Sequence, residues 1–459
     1  MKENISRETD PKVIKGSPTK DLFIYVLTRD LSLEDAINDL IDNSIDGAKR
    51  MRPQGDYEGL RIDLSLNETS FKIVDNCGGI PIKVAREYAF RFGRAEGVEN
   101  TKFSIGQFGV GMKRAFFKLG ETFYVHSVAE KSEFTVIVSV DDWLNKKDED
   151  GNDDWSFQFE EDYRENVSSD PATIGTDIEV TPLHEEIKEY ILETNLPESL
   201  KLDIERKHME NIYKGMSITV NGDLLRSIRP EFRVSDDVKI AKFEKSFDNG
   251  VDLEILCGIG DPKEDEGGWY IFCNDRLLLG PEQSALSGWT GSNGDGVASY
   301  HHQYRYFRGI VYFRSENSFN LPWNTSKNDI DASSRVFLSA RGKMIEMMRP
   351  VIKVLNLVKK DRETGEDGGP KNYQPYVSLV NNTHKVGLSE ISNAMVDSKF
   401  RVPKLERVVD DSEKHVTISY KKQKSLVEQL KKIYSASSNR ELGEMTFDYF
   451  VEQEDIDYE

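Results

Sequence analysis

The longest helix-like pattern near the start of the chain runs from Leu33 to about Met51. Apolar residues recur there at steps of three and four, which predicts a helix with one apolar face. The other face is acidic, and no base appears before Lys49. Like charges at this spacing destabilise a helix by roughly 0.2–0.5 kcal/mol per pair. Two explanations are open: an unusually acidic exposed helix, or a positive partner such as a divalent cation. The polar face comprises Asp35, Asp39, Asp42, Asn43 and Asp46.

Alternating apolar and polar residues predict strands after this helix. "RIDLSL" and "FKIVDN" read as a hairpin, and "TFYVHSVA", "EFTVIVSV" and "TDIEVTPL" as further strands. Little periodicity precedes residue 21. We therefore predict an N-terminal arm over residues 1–20 and a first domain over residues 21–188.

A second unit is predicted from about residue 189. A helical stretch, "ESLKLDIERKHMENIYKG", precedes several strand patterns, among them "VDLEILCGIG" and "YFRGIVYFR", and a helix from Ser333 to Val358. We predict this domain over residues 189–358 and a linker over residues 359–375. Residues 376–459 form a C-terminal strand–helix region with an acidic tail.

Composition narrows the protein class. The chain has 459 residues, a net charge of −20 and three cysteines, which favours a cytoplasmic protein with reduced thiols. No run of eighteen apolar residues is present, so no membrane span is expected. The acidic balance argues against direct, non-specific binding to a nucleic-acid backbone.

Chemistry-bearing residues fall in three stretches. Asp39 and Asn43 lie four residues apart, so both project from one helix face, where an acid orients water and an amide oxygen holds Mg²⁺. In "FKIVDNCGGIP", Asp75 ends a strand, where a carboxylate accepts a hydrogen bond from an exocyclic amine. The glycines that follow, Gly78 and Gly79, let the backbone approach a flat base.

The third stretch, "FSIGQFGVGMKRAFFKLG", places glycines directly before a predicted helix. Free N–H groups and the dipole at such a helix start favour an anion, and Lys113 and Arg114 add charge suited to phosphate. The stretch is neither a Walker A motif nor a dinucleotide-binding fingerprint, because it lacks the lysine–serine/threonine pair and the required spacing.

Taken in order, these stretches resemble the motifs of the GHKL ATPases, which include gyrases, heat-shock chaperones, histidine kinases and MutL proteins. "DLIDNSIDGA", "DNCGGI" and "GQFGVGMK" are similar to the first three motifs, and "ATIGTDIEV" to the fourth. The resemblance implies an α+β fold: a Bergerat-type ATPase α/β sandwich, a transducer-like α/β domain and a small C-terminal appendage. It also implies ATP and Mg²⁺ as ligands.

The resemblance assigns roles residue by residue. Asn43 matches the Mg²⁺ ligand, Asp75 the reader of the adenine amino group, and Thr176 the threonine that supports Asp75. "GQFGVGMK" matches the lid over the phosphates. The implied nucleotide-binding residues are Asn43, Asp46, Ala48, Asp75, Gly79, Ile80, Gly106, Gln107, Phe108, Gly109, Val110, Gly111, Met112, Lys113 and Thr176.

One departure from the family concerns the general base, which is usually glutamate. Here the position is Asp39. Aspartate is one methylene shorter, and misplacement of about 1 Å costs ~10²-fold in rate. Asp39 remains the predicted base, with slow hydrolysis expected.

The loop "FNLPWNTSKNDID" contains Lys327, which resembles the transducer lysine that reaches the γ-phosphate in the gyrase, MutL and MORC branches. We therefore expect Lys327 to act with Asp39 in catalysis. "GVGMKRAFFKLG" is most similar to prokaryotic MORC-like proteins.

The resemblance implies an ATP-gated clamp in which two copies of the chain dimerise. By analogy such a clamp serves DNA-related processes or phage defence, with a DNA or protein partner from the same operon. Two alternatives stay open: a protein-remodelling chaperone-like ATPase, and a nucleotide-sensing scaffold with weak hydrolysis.

Overall fold

The structure, a computed structural model, describes residues 19–29, 31–93, 101–106, 109–291, 294–366, 374–403 and 418–453. Most of the predicted N-terminal arm lies outside these ranges. The helices are α1 Lys20–Arg29, α2 Leu33–Met51, α3 Ile82–Val84, α4 Gly111–Leu119, α5 Val140–Asn145, α6 Glu185–Thr194, α7 Leu196–Lys207, α8 Met209–Tyr213, α9 Arg335–Glu366, α10 Pro375–Asn381, α11 Lys424–Ile433 and α12 Asn439–Gln453. The strands are β1 Arg61–Leu66, β2 Phe71–Asp75, β3 Thr122–Ala129, β4 Ser132–Ser139, β5 Arg164–Glu165, β6 Gly175–Val180, β7 Ser217–Val220, β8 Asp223–Leu224, β9 Phe232–Val234, β10 Ile240–Ser246, β11 Val251–Ile259, β12 Gly268–Cys273, β13 Arg276–Glu282, β14 Phe307–Ser315, β15 His384–Val386 and β16 Val396–Asp397.

The first sheet has eight strands in the order β5-β4-β3-β6-β2-β1-β7-β8. The predicted hairpin is present, because β1 pairs antiparallel with β2. Residues alternate between buried and more exposed along β1 and β2, as expected for a sheet with one covered face. α2 and α4 pack against each other beside this sheet and share its hydrophobic core.

The first sheet extends beyond the predicted domain boundary at residue 188. β7 pairs in parallel with β1, and β8 continues the sheet from β7. Asn221 and Gly222 form the turn between β7 and β8, and this hairpin belongs to the first sheet. Ile218 and Val220 are fully buried, and the pairing of β7 with β1 places them beside Ile62 and Leu64.

The second sheet has six strands in the order β13-β12-β14-β11-β10-β16. β11 and β14 are buried over long runs, and β12 is buried at every residue. α9 packs against β11 and β14. A separate cluster that includes Phe232, Phe272 and Ile310 forms a further core.

The C-terminal part of the chain departs from the predicted linker. α9 continues to Glu366, eight residues beyond the expected end at Val358, so the start of the 359–375 segment is helical. Farther along, β15 pairs with β9 and β16 pairs with β10. Residues 384–397 therefore complete the second domain and do not form part of an appendage.

The described residues of a separate C-terminal unit, 418–453, contain α11 and α12, which make a helical hairpin. Within the described ranges, no helix combines the length and apolar character that crossing a bilayer requires.

Candidate functional site

α2 is the central element of the site. The Ser32 hydroxyl accepts a hydrogen bond from the Asp35 N–H at 3.0 Å and caps the helix start. Asp39 is 2% exposed, Asp42 0% and Asp46 6%. The row of acids is thus buried, and the interpretation as an exposed acidic helix is wrong. Buried carboxylates require hydrogen-bond donors or cations as partners, and Asp39, Asp42 and Asp46 each have such partners.

Asp39 is held by two cations. Its Oδ2 accepts from Arg114 Nη2 at 2.7 Å, and its Oδ1 lies 2.6 Å from Lys327 Nζ. The start of α4 packs directly on this carboxylate, since a Cβ on Gly111 would lie 2.9 Å from Asp39 Oδ2. Gly111 is needed for this close approach. The predicted base and the predicted transducer lysine are therefore in direct contact.

Asp42 shares the same lysine. Lys327 Nζ donates to its Oδ2 at 2.7 Å, and Arg276 Nε lies 3.3 Å from its Oδ1. Burial alone would raise the pKa of Asp42, but the charges of Arg276 and Lys327 outweigh it and lower the pKa to about 2. Asp42 is therefore ionised at neutral pH.

The loop that carries Lys327 docks onto α2. Lys327 has a left-handed backbone with φ 55°, and its carbonyl accepts from Arg276 Nη1 at 2.9 Å. Beside it, Asn328 Nδ2 donates to Asp35 Oδ2 at 3.0 Å. Burial opposes the charge of Lys327, but Asp39 and Asp42 raise its pKa above the usual value. A loop of the second domain thus supplies much of the positive charge that α2 lacks.

Asn43 differs from its neighbours because its side chain is exposed. Its Oδ1 lies 3.4 Å from where a Cβ on Gly106 would stand, so it borders the start of the predicted lid. Among the described residues, no group of three or more His, Cys, Asp or Glu side chains is arranged to hold a metal. A lone accessible amide oxygen still fits Mg²⁺, which takes few protein ligands when phosphates and water complete its shell.

Asp46 anchors the start of the lid. Its two oxygens accept from the backbone N–H groups of Ile105 and Gly106, each at 2.7 Å. Burial raises the pKa of Asp46, although Lys49 and these N–H groups oppose the increase. The lid segment is consequently fixed to α2 through hydrogen bonds from neutral donors.

The same segment is tied to the second domain. Lys49 Nζ donates to the Phe103 carbonyl at 2.8 Å and to the Asn274 carbonyl at 3.0 Å. In turn, Asn274 Nδ2 donates to the Ser104 carbonyl at 3.0 Å. The turn between β12 and β13 therefore holds the lid start against α2.

Asp75 lies at the end of β2, where it is 9% exposed. Its Oδ2 accepts from Ser44 Oγ at 2.6 Å and its Oδ1 from the Cys77 N–H at 2.8 Å. Thr176 stands opposite it in the β2–β6 pair. Burial raises the pKa of Asp75, and hydrogen bonds from Ser44, Cys77 and Thr176 oppose the increase. Asp75 and Thr176 are therefore neighbours across the β2–β6 pair.

The glycines after Asp75 allow close backbone approach. Gly79 has φ 64°, and a Cβ there would lie 2.1 Å from the Val128 carbonyl oxygen. The next residue, Ile80, donates its N–H to Ser127 Oγ at 2.7 Å. The loop thus sits directly on β3.

Part of the third motif lies outside the described residues, namely Gln107 and Phe108. Gly109 has φ 66°, Val110 occupies the N-cap of α4, and Met112 is 7% exposed. The predicted glycine-to-helix transition is therefore present, with Gly111 as the first helical residue.

Lys113 and Ala48 are placed differently from the prediction. The Lys113 ammonium is buried and donates to the carbonyls of Ala89, at 2.8 Å, and Gly109. Burial lowers its pKa to about 7. The Lys113 ammonium stabilises the loop before α4, because it donates to carbonyls that otherwise lack a donor. Ala48 is fully buried in the hydrophobic core.

Sequence reasoning missed two residues that matter to this geometry. Arg276 begins the apolar strand β13 and is 1% exposed, and an arginine in such a strand is a signal of a buried partner. His208 is fully buried, with Nε2 3.0 Å from Asn38 Oδ1, and burial lowers its pKa to about 3. His208 is therefore neutral behind Asp42.

Residues 31–171 match the family model described as histidine kinase-, DNA gyrase B-, and HSP90-like ATPase. A comparison with curated proteins finds no match. The matched region is thus similar to the ATPase domains that this model describes. It spans α2, Asp75 and the third motif.

Proposed function

We propose that this protein is a Mg²⁺-dependent ATPase of the MORC-like type, in which ATP binding is coupled to movement of the second domain. The observation that carries the proposal is the contact of Lys327, from the second domain, with both Asp39 and Asp42 of α2. It rests also on the GHKL match of residues 31–171.

The contact gives Lys327 two states. Without nucleotide it neutralises Asp39 and Asp42, and with ATP the γ-phosphate competes for the same ammonium. Lys327 then stabilises charge on the transferring phosphoryl group. Because Lys327 leaves Asp39, one carboxylate oxygen becomes free to accept a proton from water.

The remaining residues hold the nucleotide. Asp75 accepts from the adenine amino group through lone pairs that Ser44 and Cys77 leave free. Asn43 holds Mg²⁺, which when bound neutralises phosphate charge. Arg114 keeps its contact with the other Asp39 oxygen and orients the base.

ATP turnover tests the assignment of Asp39. Asp39→Asn is expected to lower turnover at least ~10²-fold while ATP binding persists, since the base is lost and the adenine contacts stay. Asp63→Asn is the control, because Asp63 lies on β1 in a solvent-exposed ion pair with Arg61 at 3.2 Å. Equal losses in both variants would contradict a catalytic role for Asp39.

We further propose that ATP closes two copies into a clamp. Static light scattering with Mg²⁺ and a non-hydrolysable ATP analogue is expected to show two chains. A monomer under these conditions excludes the clamp. A role in DNA-related processes rests on likeness to MORC proteins, and plasmid DNA is expected to raise turnover.

A nucleotide-sensing scaffold is the second candidate, favoured by the two cations on the oxygens of Asp39. In that case wild type and Asp39→Asn bind ATP equally and neither hydrolyses it. Such a result would replace the ATPase proposal.

A further inference from the structure

Two cationic residues, Lys113 and Arg114, lie in the first turn of α4, and they have different partners. The Lys113 ammonium donates to the carbonyls of Ala89 and Gly109, so it faces the loop before α4. The Arg114 guanidinium faces α2, where its Nη2 donates to Asp39 Oδ2 at 2.7 Å. Arg114 is therefore the cation of this turn that lies at the predicted general base.

The Arg114 guanidinium has hydrogen-bonding capacity that the described residues leave unused. An arginine presents several N–H donors in one planar fork. Within the described ranges, the side chain donates one hydrogen bond, to Asp39, and its Nε is buried with no acceptor. The side chain is only 10% exposed. Because a buried donor without an acceptor costs free energy, this position indicates an acceptor that a ligand supplies.

The charges around Asp39 favour an anionic acceptor. Asp39 and Asp42 contribute two negative charges, and Arg114, Lys327 and Arg276 contribute three positive ones. These five side chains therefore carry a net positive charge. Guanidinium groups bind phosphate oxygens strongly, through charge-assisted hydrogen bonds from more than one nitrogen.

The γ-phosphate of ATP is the anion that lies closest to this position, an inference that rests on the proposed function. A water activated by Asp39 attacks the γ-phosphorus, so the γ-phosphate lies about one water from that carboxylate. A guanidinium that already contacts Asp39 is within reach of such a phosphate. The free N–H groups at the start of α4 face the same anion.

We propose that Arg114 binds the γ-phosphate of ATP through the donors that Asp39 leaves free. One guanidinium then joins the general base to the phosphoryl group, and its charge adds to that of Lys327 in the transition state. In this step the bond from the water oxygen to the γ-phosphorus forms and the bond to the β,γ-bridging oxygen breaks. Asp39 takes the proton from water, ADP and phosphate are released, and Arg114 keeps its protons.

The preference for an ATP analogue over ADP tests the contact. Affinities of a non-hydrolysable ATP analogue and of ADP are measured with Mg²⁺, by competition with a fluorescent nucleotide. Arg114→Met is expected to weaken binding of the ATP analogue ~10-fold or more, because charged hydrogen bonds are lost, and to change ADP binding less than ~3-fold.

Two further variants control this measurement. Arg114→Lys keeps the charge but loses the fork, so it is expected to retain part of the preference. It carries the same comparison if Arg114→Met does not fold. Lys118→Met removes a charge one turn later on α4 and is expected to bind both nucleotides like the wild type. An equal loss of preference in Lys118→Met would overturn the contact.

An Asp39→Asn background separates a direct contact from an effect that passes through Asp39. The charge that competes for Arg114 is absent there, so the preference for the ATP analogue is expected to rise. Adding Arg114→Met is expected to lower this preference again by ~10-fold or more. If the preference does not change, Arg114 acts only on Asp39 and the proposal is wrong.

Turnover measured on the same proteins distinguishes this proposal from the proposed function. Arg114→Met is expected to lower ATP turnover at least ~10²-fold. A wild type that does not hydrolyse ATP, but whose preference depends on Arg114, supports the contact and contradicts the ATPase. A wild type that hydrolyses ATP, and whose preference survives Arg114→Met, overturns the contact and leaves the ATPase in place.

Discussion

The two halves of α2 stabilise their buried carboxylates with different kinds of partner. In the first half, Asp39 and Asp42 contact cations from distant segments. In the second half, Asp46 accepts from backbone N–H groups, and nearby Asp75 accepts from Ser44 and a backbone N–H. The pKa of Asp42 is lowered, while the pKa values of Asp46 and Asp75 are raised.

The difference shows that burial alone does not set the ionisation of these acids. Desolvation raises the pKa on both halves. The charges of Arg276 and Lys327 reverse the shift at Asp42, whereas Lys49 and two backbone N–H groups do not reverse it at Asp46. The charged half depends on the second domain, which contributes Lys327 and Arg276. The half with neutral donors is assembled largely within the first domain. Under the proposed coupling of ATP binding to movement of the second domain, the charged half of α2 is altered more than the other.

The largest expected effect comes from removing a cation on the charged half. Arg276→Met leaves Asp42 with Lys327 as its remaining cation and the Lys327 carbonyl without its donor. It is expected to lower the free energy of unfolding by about 3–5 kcal/mol. Chemical denaturation measures this loss. Arg61→Met, at a solvent-exposed ion pair with Asp63, serves as the control and is expected to cost less than about 1 kcal/mol.

A double variant tests whether Asp42 and Arg276 are energetically coupled. Asp42→Asn combined with Arg276→Met removes both charges and is expected to cost less than the two single changes together. Strict additivity of the losses would contradict direct coupling between Asp42 and Arg276.

The second prediction compares how the contributions of Asp42 and Asp75 to folding stability depend on pH. The ionised form of Asp42 stabilises the fold above pH 3.8, its ordinary pKa, and this contribution is lost as pH falls through about 2. Asp42→Asn is therefore expected to cost roughly 2 kcal/mol at pH 7 and less near pH 3.

Asp75 has the opposite dependence. Its raised pKa means that the folded state favours the protonated form, a contribution present below pH 3.8 and lost as pH rises through the folded pKa. The stability of Asp75→Asn relative to the wild type is expected to rise with pH. Unfolding curves between pH 3 and 7 measure both variants, and slopes of the same sign would contradict the comparison.

The smallest expected effect is on the half with neutral donors. Ser44→Ala removes one donor from Asp75 and is expected to cost about 1 kcal/mol. It also raises the pKa of Asp75 further, which NMR titration of that carboxyl measures. Ser65→Ala, at an exposed position of β1, is the control, and no shift at Asp75 in either variant would exclude the hydrogen bond.

Local features of the fold were predictable because they follow from residue patterns. Alternation in "RIDLSL" and "FKIVDN" predicted the β1–β2 hairpin, and steps of three and four predicted α2. The membership of β7 in the first sheet was not predictable, since a hairpin pattern does not state which sheet edge it joins. The sheet positions of β15 and β16 were not predictable either, because these short strands pair with β9 and β10, which lie far earlier in the chain.

Within the site, the acids of α2 were recognised but most of their partners were not. Lys327 lies 285 residues from Asp42 along the chain, and periodicity within one helix carries no information about such a partner. The family resemblance marked Lys327 as the lysine that reaches the γ-phosphate, and its ammonium lies 2.6 Å from Asp39 Oδ1. Arg276 had no comparable motif to mark it.

Residues 384–397 pair with strands of the second domain. They therefore determine where a shortened fragment can end without exposing strand edges. A fragment that ends at residue 366, after α9, leaves the edges of β9 and β10 without β15 and β16. Exposed strand edges of this kind pair with other chains and promote aggregation. A fragment for crystallisation or binding assays should therefore extend to residue 403, and poor solubility of a shorter one would reflect these open edges.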